Sequence, residues 1–193
     1  MNWYKKAQLE STLPYFKEFE NMGEYIPNEN KLNLILREKY NTEINYDIGQ
    51  GDSGVAYQLT NDDVLKITTN GQEAEVAEWL ISNPNPNIVN YKDVWKDGDL
   101  FYIIMEKLDS ILESHSEIAQ EIDRLYIILD KEQCYNLDCA IEILSNYRDS
   151  PILLMVIDYL HHLNTIPQIN IFDFLNPNNM GIKDGNLKFF DIT

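Results

Sequence analysis

Three glycines at positions 49, 51 and 54 lie between two strand-like segments of the sequence. Glycine has no Cβ and tolerates positive φ, so a hairpin built on Gly49, Gly51 and Gly54 lets backbone amides approach phosphate groups closely. A dinucleotide-binding loop has the same spacing but leads from a strand into a helix, whereas residues 55–59 (VAYQL) continue as a strand. The glycines therefore predict either a phosphate-binding hairpin or an ordinary hairpin turn.

The segments around this hairpin predict a small antiparallel sheet with one helix. Strand-like segments are found over 44–49, 55–60 and 64–68, and then over 88–95, while residues 100–105 form a nearly continuous apolar strand. A helix is predicted over 71–82, because apolar residues recur with helical spacing and Pro84 and Pro86 forbid its continuation. The order is three strands, one helix and two strands.

The rest of the chain is predicted to be mainly helical. Residues 1–43 suit short helices before the sheet, residues 110–148 are acidic with helical periodicity, and residues 151–164 form a strongly apolar helix. A last hairpin turns at Asp184-Gly185. The fold class predicted for the whole chain is α+β.

In order and spacing, these segments resemble the protein kinase superfamily. The GxGxxGxA loop is followed by Val64-Leu65-Lys66 at the position of the family's strand lysine, by an acidic helix, by PNIV at 86–89, and by Ile104-Met105-Glu106 as gatekeeper and hinge. The resemblance covers residues 44–109 and 151–193. It implies a kinase-like N-lobe of five antiparallel strands and one helix at 44–109, a reduced helical C-lobe at 110–193, and an N-terminal extension at 1–43.

The resemblance implies that Lys66 holds the α- and β-phosphates of ATP and is itself held by a helix glutamate. Glu75 is the preferred partner because it lies four residues before Trp79, which would pack inside the lobe. Glu78 is the second choice, and Glu73 is expected to be solvated.

At the hinge, the resemblance implies that Met105 lies beside the nucleotide as gatekeeper. Glu106 and Leu108 would offer backbone groups to the adenine, and Asp109 would reach the ribose. The alternative for these residues is ordinary surface at the end of a strand.

The segment at 171–179 (IFDFLNPNN) resembles the catalytic loop, whose Asp orients the attacking hydroxyl and whose Asn binds a metal ion. Asp173 as catalytic acid places Asn178 at the family's spacing. Asn179 as metal ligand instead aligns Pro177 and the following strand, but then Phe174 occupies the position of the base. One inserted residue would reconcile Asp173 with Asn179, and an Asn-rich turn without chemistry remains the alternative.

The last candidate is Asp191, which follows an apolar strand and matches the family's Asp-Phe-Gly motif at its Asp only. The hairpin before it is short enough to bring Asp191 and either asparagine to one Mg²⁺. The resemblance thus implies ATP and Mg²⁺ as cofactors.

Composition limits the partners. With 32 acidic and 15 basic residues, the formal charge is −17, which repels nucleic acid and anionic lipid and favours a basic protein or a nucleotide that arrives with Mg²⁺. The sequence contains no apolar run of membrane-spanning length, so a cytoplasmic protein is expected. Cys134 and Cys139 have no zinc-ligand pattern around them and are expected to be reduced thiols.

Three functions follow as expectations. The first is an atypical kinase-like phosphotransferase acting on Ser or Thr of a protein or on a small molecule. The second is a pseudokinase that binds nucleotide or a partner without catalysis, and the third is an acidic decoy for a basic surface. The resemblance stops before an activation segment, which suggests a fragment or a naturally minimal kinase-like protein. If the apolar helix at 151–164 lies exposed, it would drive formation of a homo-oligomer.

Overall fold

A computed structural model describes residues 29–50, 54–111, 116–134, 136–147, 150–165 and 175–190. Its contacts divide the chain into two compact units, residues 1–43 and residues 44–193. In the first unit the described structure is helix α1 (Glu29–Tyr40), which places Arg37 and Lys39 in its last turn, where basic side chains favour the helix carboxyl end. The helix predicted before residue 29 lies outside the described residues.

The second unit is built on an antiparallel sheet in the order β1-β2-β3-β5-β4, with one helix between β3 and β4. The α+β class is therefore confirmed. The elements are β1 (Ile44–Gln50), β2 (Gly54–Leu59), β3 (Asp63–Thr68), α2 (Gly71–Ser82), β4 (Tyr91–Asp97) and β5 (Leu100–Glu106).

Helix α2 has the bounds that the sequence predicts, and its caps explain them. Asn70 precedes the first turn, and its side-chain oxygen accepts hydrogen bonds from the amides of Gln72 and Glu73. At the other end Asn83 is the C-cap residue, and Pro84 follows it. The helix packs Ala74, Val76, Ala77 and Leu80 into the core.

Among the described residues, three further helices form the mainly helical half of this unit. They are α3 (Ser116–Lys131), α4 (Leu137–Leu144) and α5 (Pro151–Leu163). Helix α5 starts where Ser150 caps it and Pro151 occupies the first turn, and it buries one side while Leu154 on the other side is 53% exposed. Among the described residues, no helix is both long enough and apolar enough to cross a bilayer.

The expectation of two reduced thiols is wrong in this structure, which pairs Cys134 with Cys139 as a disulfide. Helix α3 ends at Lys131 and α4 begins at Leu137, so the connection turns back on itself. The two cysteine Cα atoms are thereby 5.8 Å apart, within disulfide reach.

A second, three-stranded sheet pairs a short strand that follows β5 with the last hairpin of the unit. It has the order β6-β7-β8, with β6 (Asp109–Ser110), β7 (Met180–Lys183) and β8 (Asn186–Phe189). The predicted turn between β7 and β8 is confirmed, with Asp184 at φ 51° and Gly185 at φ 77°, the left-handed values that a two-residue hairpin requires.

The end of β8 is hydrogen-bonded to the loop that follows α2. The Val89 amide donates to the Phe189 carbonyl at 2.8 Å, and the Phe189 amide donates to the Asn87 carbonyl at 3.0 Å. The strand predicted from residue 88 therefore begins only at Tyr91, because Ile88 forms a parallel bridge with Phe189 instead.

Candidate functional site

A cavity of about 770 Å³ lies in the second unit between the five-stranded sheet and the residues around the β7–β8 hairpin. This volume suits a small-molecule ligand. It brings together most of the described residues that the sequence singles out. Its lining includes Ile48, Gly49, Gly54, Ala56, Val64, Lys66, Asn70, Glu73, Val89, Met105, Glu106, Lys107, Leu108, Asn178, Asn179 and Phe190.

One part of the lining is apolar and comes from alternate strand positions. Val64 lies opposite Met105 in the β3–β5 register, so both side chains are on the same face of the sheet as Lys66. Ile48 in β1 is 45% exposed and lines the same cavity. A flat apolar ligand that contacts these side chains would cover surface that Ile48 otherwise leaves to water.

Lys66 forms an ion pair with Glu73 in the wall of the cavity. The Lys66 side chain is 17% exposed and that of Glu73 is 7% exposed, so the pair is largely shielded from water. Because both members are shielded, each needs the other's charge, and Glu73 holds the ammonium within the cavity wall.

The predicted lysine partner, Glu75, is therefore wrong. Glu75 and Glu78 are both exposed, whereas Glu73 is buried. Only Thr69 and Asn70 separate β3 from α2, so the first turn of the helix lies beside the end of β3 and carries Glu73 to Lys66. The signal that identifies Glu73 in the sequence is the Asn-x-x-Glu capping pattern that begins at Asn70.

The glycine hairpin covers the same cavity. Gly49 and Gly54 both line it, while Gly51 lies outside the described residues. A Cβ added at Gly54 would clash with the backbone oxygen of Ile67 and lie 3.1 Å from the Thr68 Cα, so glycine is needed there for β2 to pack against β3. The open space around Gly49 imposes no such requirement.

The residues predicted to form a hinge occupy the end of β5. Met105 is buried with its side chain in the cavity wall, and Leu108 also lines the cavity. The amide of Glu106 donates to the Asn90 carbonyl at 3.0 Å, so this N–H is already used within the fold. Asp109 lies in β6, exposed, and is not among the residues that line the cavity.

The Glu106 side chain is bound within the fold and links the end of β5 to its surroundings. Its Oε1 accepts the amide of Asn90 at 2.8 Å and forms an ion pair with Lys188 of β8. Both charged side chains are shielded, at 15% and 16% exposure. The pair therefore links the end of β5 to the β7–β8 hairpin.

Asn178 and Asn179 reach the cavity from the 3₁₀ turn Pro177–Asn179, directly before β7. The Asn178 side-chain amide donates to Asn176 Oδ1 at 3.1 Å, which holds it within the turn. The Asn179 carbonyl accepts the Phe190 amide at 2.8 Å, so the backbone at Asn179 lies beside the end of the last hairpin. Among the described residues, the Asn179 side chain has no hydrogen-bond partner.

The predicted acidic residues of this region, Asp173 and Asp191, lie outside the described residues, as does Phe174. Within the part of the chain that the structure describes, no group of three or more His, Cys, Asp or Glu side chains is arranged to hold a metal ion. The asparagine amide oxygens at 178 and 179 are suitable ligands for Mg²⁺, which binds oxygen. A complete ligand set would need a carboxylate from outside the described residues.

No protein-family model matches the chain, and no curated protein matches it.

Proposed function

We propose that this chain is an atypical kinase-like phosphotransferase, which binds ATP with Mg²⁺ in the cavity and transfers the γ-phosphate to a hydroxyl group. The acceptor is a Ser or Thr of a protein or a small molecule. The observation that carries the proposal is the shielded Lys66–Glu73 pair in the wall of a nucleotide-sized cavity. The sheet order and the single helix between β3 and β4 support a kinase-like N-lobe.

The adenine would lie against the apolar part of the lining, between the β1–β2 hairpin and the end of β5. Val64 and Met105 supply buried contacts there, and Ile48 would become covered. With the Glu106 amide bonded to Asn90, the backbone of Leu108 is the better candidate for hydrogen bonding to the base edge. A ribose contact from Asp109 gains no support, because Asp109 lies outside the lining.

The phosphates would lie between the glycine hairpin and Lys66. The ammonium neutralises phosphate charge, and Glu73 keeps that ammonium in place. A bound Mg²⁺ would supply further charge neutralisation, held by Asn178 or Asn179 together with Asp191. The rate of transfer would then come from placement and electrostatic stabilisation rather than from covalent chemistry on the protein.

In the transfer step, Asp173 would accept the proton of the attacking hydroxyl. The acceptor oxygen forms a bond to the γ-phosphorus while the bond from that phosphorus to the bridging oxygen breaks, and ADP leaves. The electron pair of the broken bond, with its negative charge, stays on ADP. The proton of the hydroxyl group is then held by the Asp173 carboxylate.

The second candidate function is nucleotide binding without transfer. It is favoured by the turn at Pro177–Asn179, because β7 begins directly after Asn179 and the Asn178 amide is held by Asn176. These features favour Asn179 as the metal ligand. Without an inserted residue, Phe174 then occupies the position of the base, and Phe174 cannot accept a proton.

The test combines a thermal shift with a transfer assay. With ATP and Mg²⁺ at about a hundred times Kd, binding should stabilise the protein by about 2.7 kcal/mol, and Lys66→Met should abolish most of this shift. Lys92→Met is the matched control, because Lys92 pairs with Asp63 away from the cavity lining. Its shift should equal that of the unmodified protein.

Labelled γ-phosphate then separates the two candidates. Transfer to the protein itself or to a generic protein acceptor, lost in Asp173→Asn, is the result expected of a phosphotransferase. A thermal shift without any transfer would favour the binding module. The absence of a shift with ATP would contradict both.

A further inference from the structure

We infer that the side-chain amide of Asn70 contacts the phosphates of the bound nucleotide, donating an N–H hydrogen bond from Nδ2. This inference rests on the proposed nucleotide-binding function and adds a residue to it. Asn70 is not part of the glycine hairpin, the strand lysine or the hinge. It nevertheless lines the same cavity, together with Lys66 and Glu73.

The orientation of the Asn70 amide is fixed by its contacts. Its Oδ1 accepts the amides of Gln72 at 3.0 Å and Glu73 at 3.3 Å, and both interactions require an oxygen rather than an N–H. The Asn70 backbone amide donates to Thr68 Oγ1 at 3.0 Å, which holds the main chain on the other side. The NH₂ group is therefore directed away from the helix amides, and no acceptor for it lies among the described residues.

The charge balance of the cavity explains why a neutral donor matters there. In the part of the chain that the structure describes, the charged groups of the lining are already paired: Lys66 with Glu73, Lys107 with Asp62 at 3.5 Å, and Glu106 with Lys188. A phosphate entering this site meets a partly neutralised lysine. An N–H donor without charge adds attraction for the phosphate without a further ion pair.

The short connection between β3 and α2 places Asn70 in this position. Only Thr69 and Asn70 lie between the two elements, so the residue that caps the helix is also close to the strand lysine. One side chain can thus use its oxygen to cap α2 and its nitrogen to bind an anion. These two roles make separate predictions.

The experiment replaces Asn70 by Asp and measures Kd by isothermal titration for adenosine, ADP and ATP in EDTA, so that no metal ion intervenes. Asp has the same shape and still caps the helix, but it lacks the N–H donor. We expect Kd for ADP and ATP to rise at least about tenfold, because this is the usual contribution of a hydrogen bond to a charged group. Kd for adenosine should stay within about twofold. An equal change for adenosine and ATP, or no change, would overturn the inference.

Asn70→Ser separates the lost donor from the added negative charge. Ser also caps helices but brings no charge, so Kd for ATP should still rise about threefold or more. If only the Asp variant weakens binding, charge repulsion explains the effect and the inference is wrong. Asn136→Asp is the matched control, because Asn136 caps α4 through the same type of contact, to the Cys139 amide at 2.9 Å.

The failure of this inference is distinguishable from failure of the proposed function. If the unmodified protein binds ATP and the Asn70 variants bind it equally well, Asn70 is only a helix cap and the proposed function stands. If the unmodified protein binds ATP neither in EDTA nor with Mg²⁺, both are wrong.

Discussion

An ammonium and a carboxylate that leave water together depend on each other, and Lys66 and Glu73 are in this situation. Removal of one member leaves the other charge shielded and without this ion pair, which costs more than the loss of an exposed ion pair. The pair therefore contributes to two properties: it supports the fold, and it holds the ammonium where an anion can meet it.

Replacing Glu73 by Gln should test both contributions, to the stability of the fold and to the placement of the ammonium. We expect the free energy of unfolding to fall by about 1–3 kcal/mol, because Lys66 keeps its charge in a shielded position. Kd for ATP should rise about tenfold, because the ammonium is no longer held. Urea unfolding and titration calorimetry measure the two effects.

Glu75→Gln is the matched control, since Glu75 is on the same helix, carries the same charge and is exposed. Both quantities should stay close to those of the unmodified protein, with a change in stability within about 0.5 kcal/mol. Equal effects of the two substitutions would contradict the assignment of Glu73.

At the scale of elements, the close packing of β2 on β3 decides where the glycine hairpin tolerates a side chain. Gly54 lies against the backbone of β3, whereas Gly49 faces open space. The two glycines belong to the same motif, yet only Gly54 is required for strand packing. Glycine spacing in the sequence does not show this difference.

Gly54→Ala should destabilise the protein by about 2 kcal/mol or more, because the added methyl group clashes with the Ile67 carbonyl and forces the strands apart. Gly49→Ala should leave stability unchanged or raise it by about 0.5 kcal/mol, since alanine restricts the unfolded chain. Thermal and urea unfolding of the two variants test this. Similar losses in both would show that the clash is relieved.

Elements with local signals are predictable from the sequence. The bounds of α2 follow from Asn70 and from the prolines after residue 82, and the last hairpin follows from its Asp184-Gly185 turn. Strand β5 follows from its nearly continuous run of hydrophobic residues. These parts depend on residues that are neighbours in the chain.

The features that the sequence predicts wrongly depend on contacts between distant segments or on which face of a helix is directed towards the sheet. The sequence pattern predicts Ile88 as a strand residue, but Ile88 forms a bridge with Phe189, and no neighbouring residue indicates that bridge. Glu75 is preferred when the helix is oriented by Trp79, yet the two-residue connection from β3 orients the first turn instead and selects Glu73. The disulfide of Cys134 depends on how α3 and α4 meet.

At the scale of the whole molecule, the sheet and the helical half of the second unit are joined through the loop at 87–89. Asn87 donates to Asp158 Oδ2 of α5 at 2.9 Å, and Val89 and Phe189 exchange backbone hydrogen bonds with this region. The Phe189 ring stacks on that of Tyr159, with centroids 4.0 Å apart. Unfolding should therefore involve both halves together.

Because of Tyr159, the free energy of unfolding is expected to fall at alkaline pH. Burial raises the pKa of Tyr159 well above its ordinary value, and the nearby Tyr91 adds to the effect. In the unfolded chain, tyrosine loses its proton at about pH 10, whereas the folded protein still keeps it there. The contribution is fully present below about pH 10 and is lost as pH rises from there towards the higher pKa of the folded state.

The measurement is the free energy of unfolding of the unmodified protein and of Tyr159→Phe, followed from pH 8 upwards. The difference between them should be constant up to about pH 9 and then change in favour of Phe, which has no proton to lose. Tyr126→Phe, at an exposed position, should produce no such change. A constant difference throughout would contradict the role assigned to Tyr159.

The bridge between Val89 and Phe189 also has a consequence for synthesis of the chain. The two residues are separated by 100 positions, so the amide of Val89 gains its partner only after β8 has left the ribosome. Until then Ile88, which is 1% exposed in the finished fold, remains accessible to solvent and to chaperones. The five strands of the sheet are therefore synthesised before Phe189, which completes the contact with the loop at 87–89.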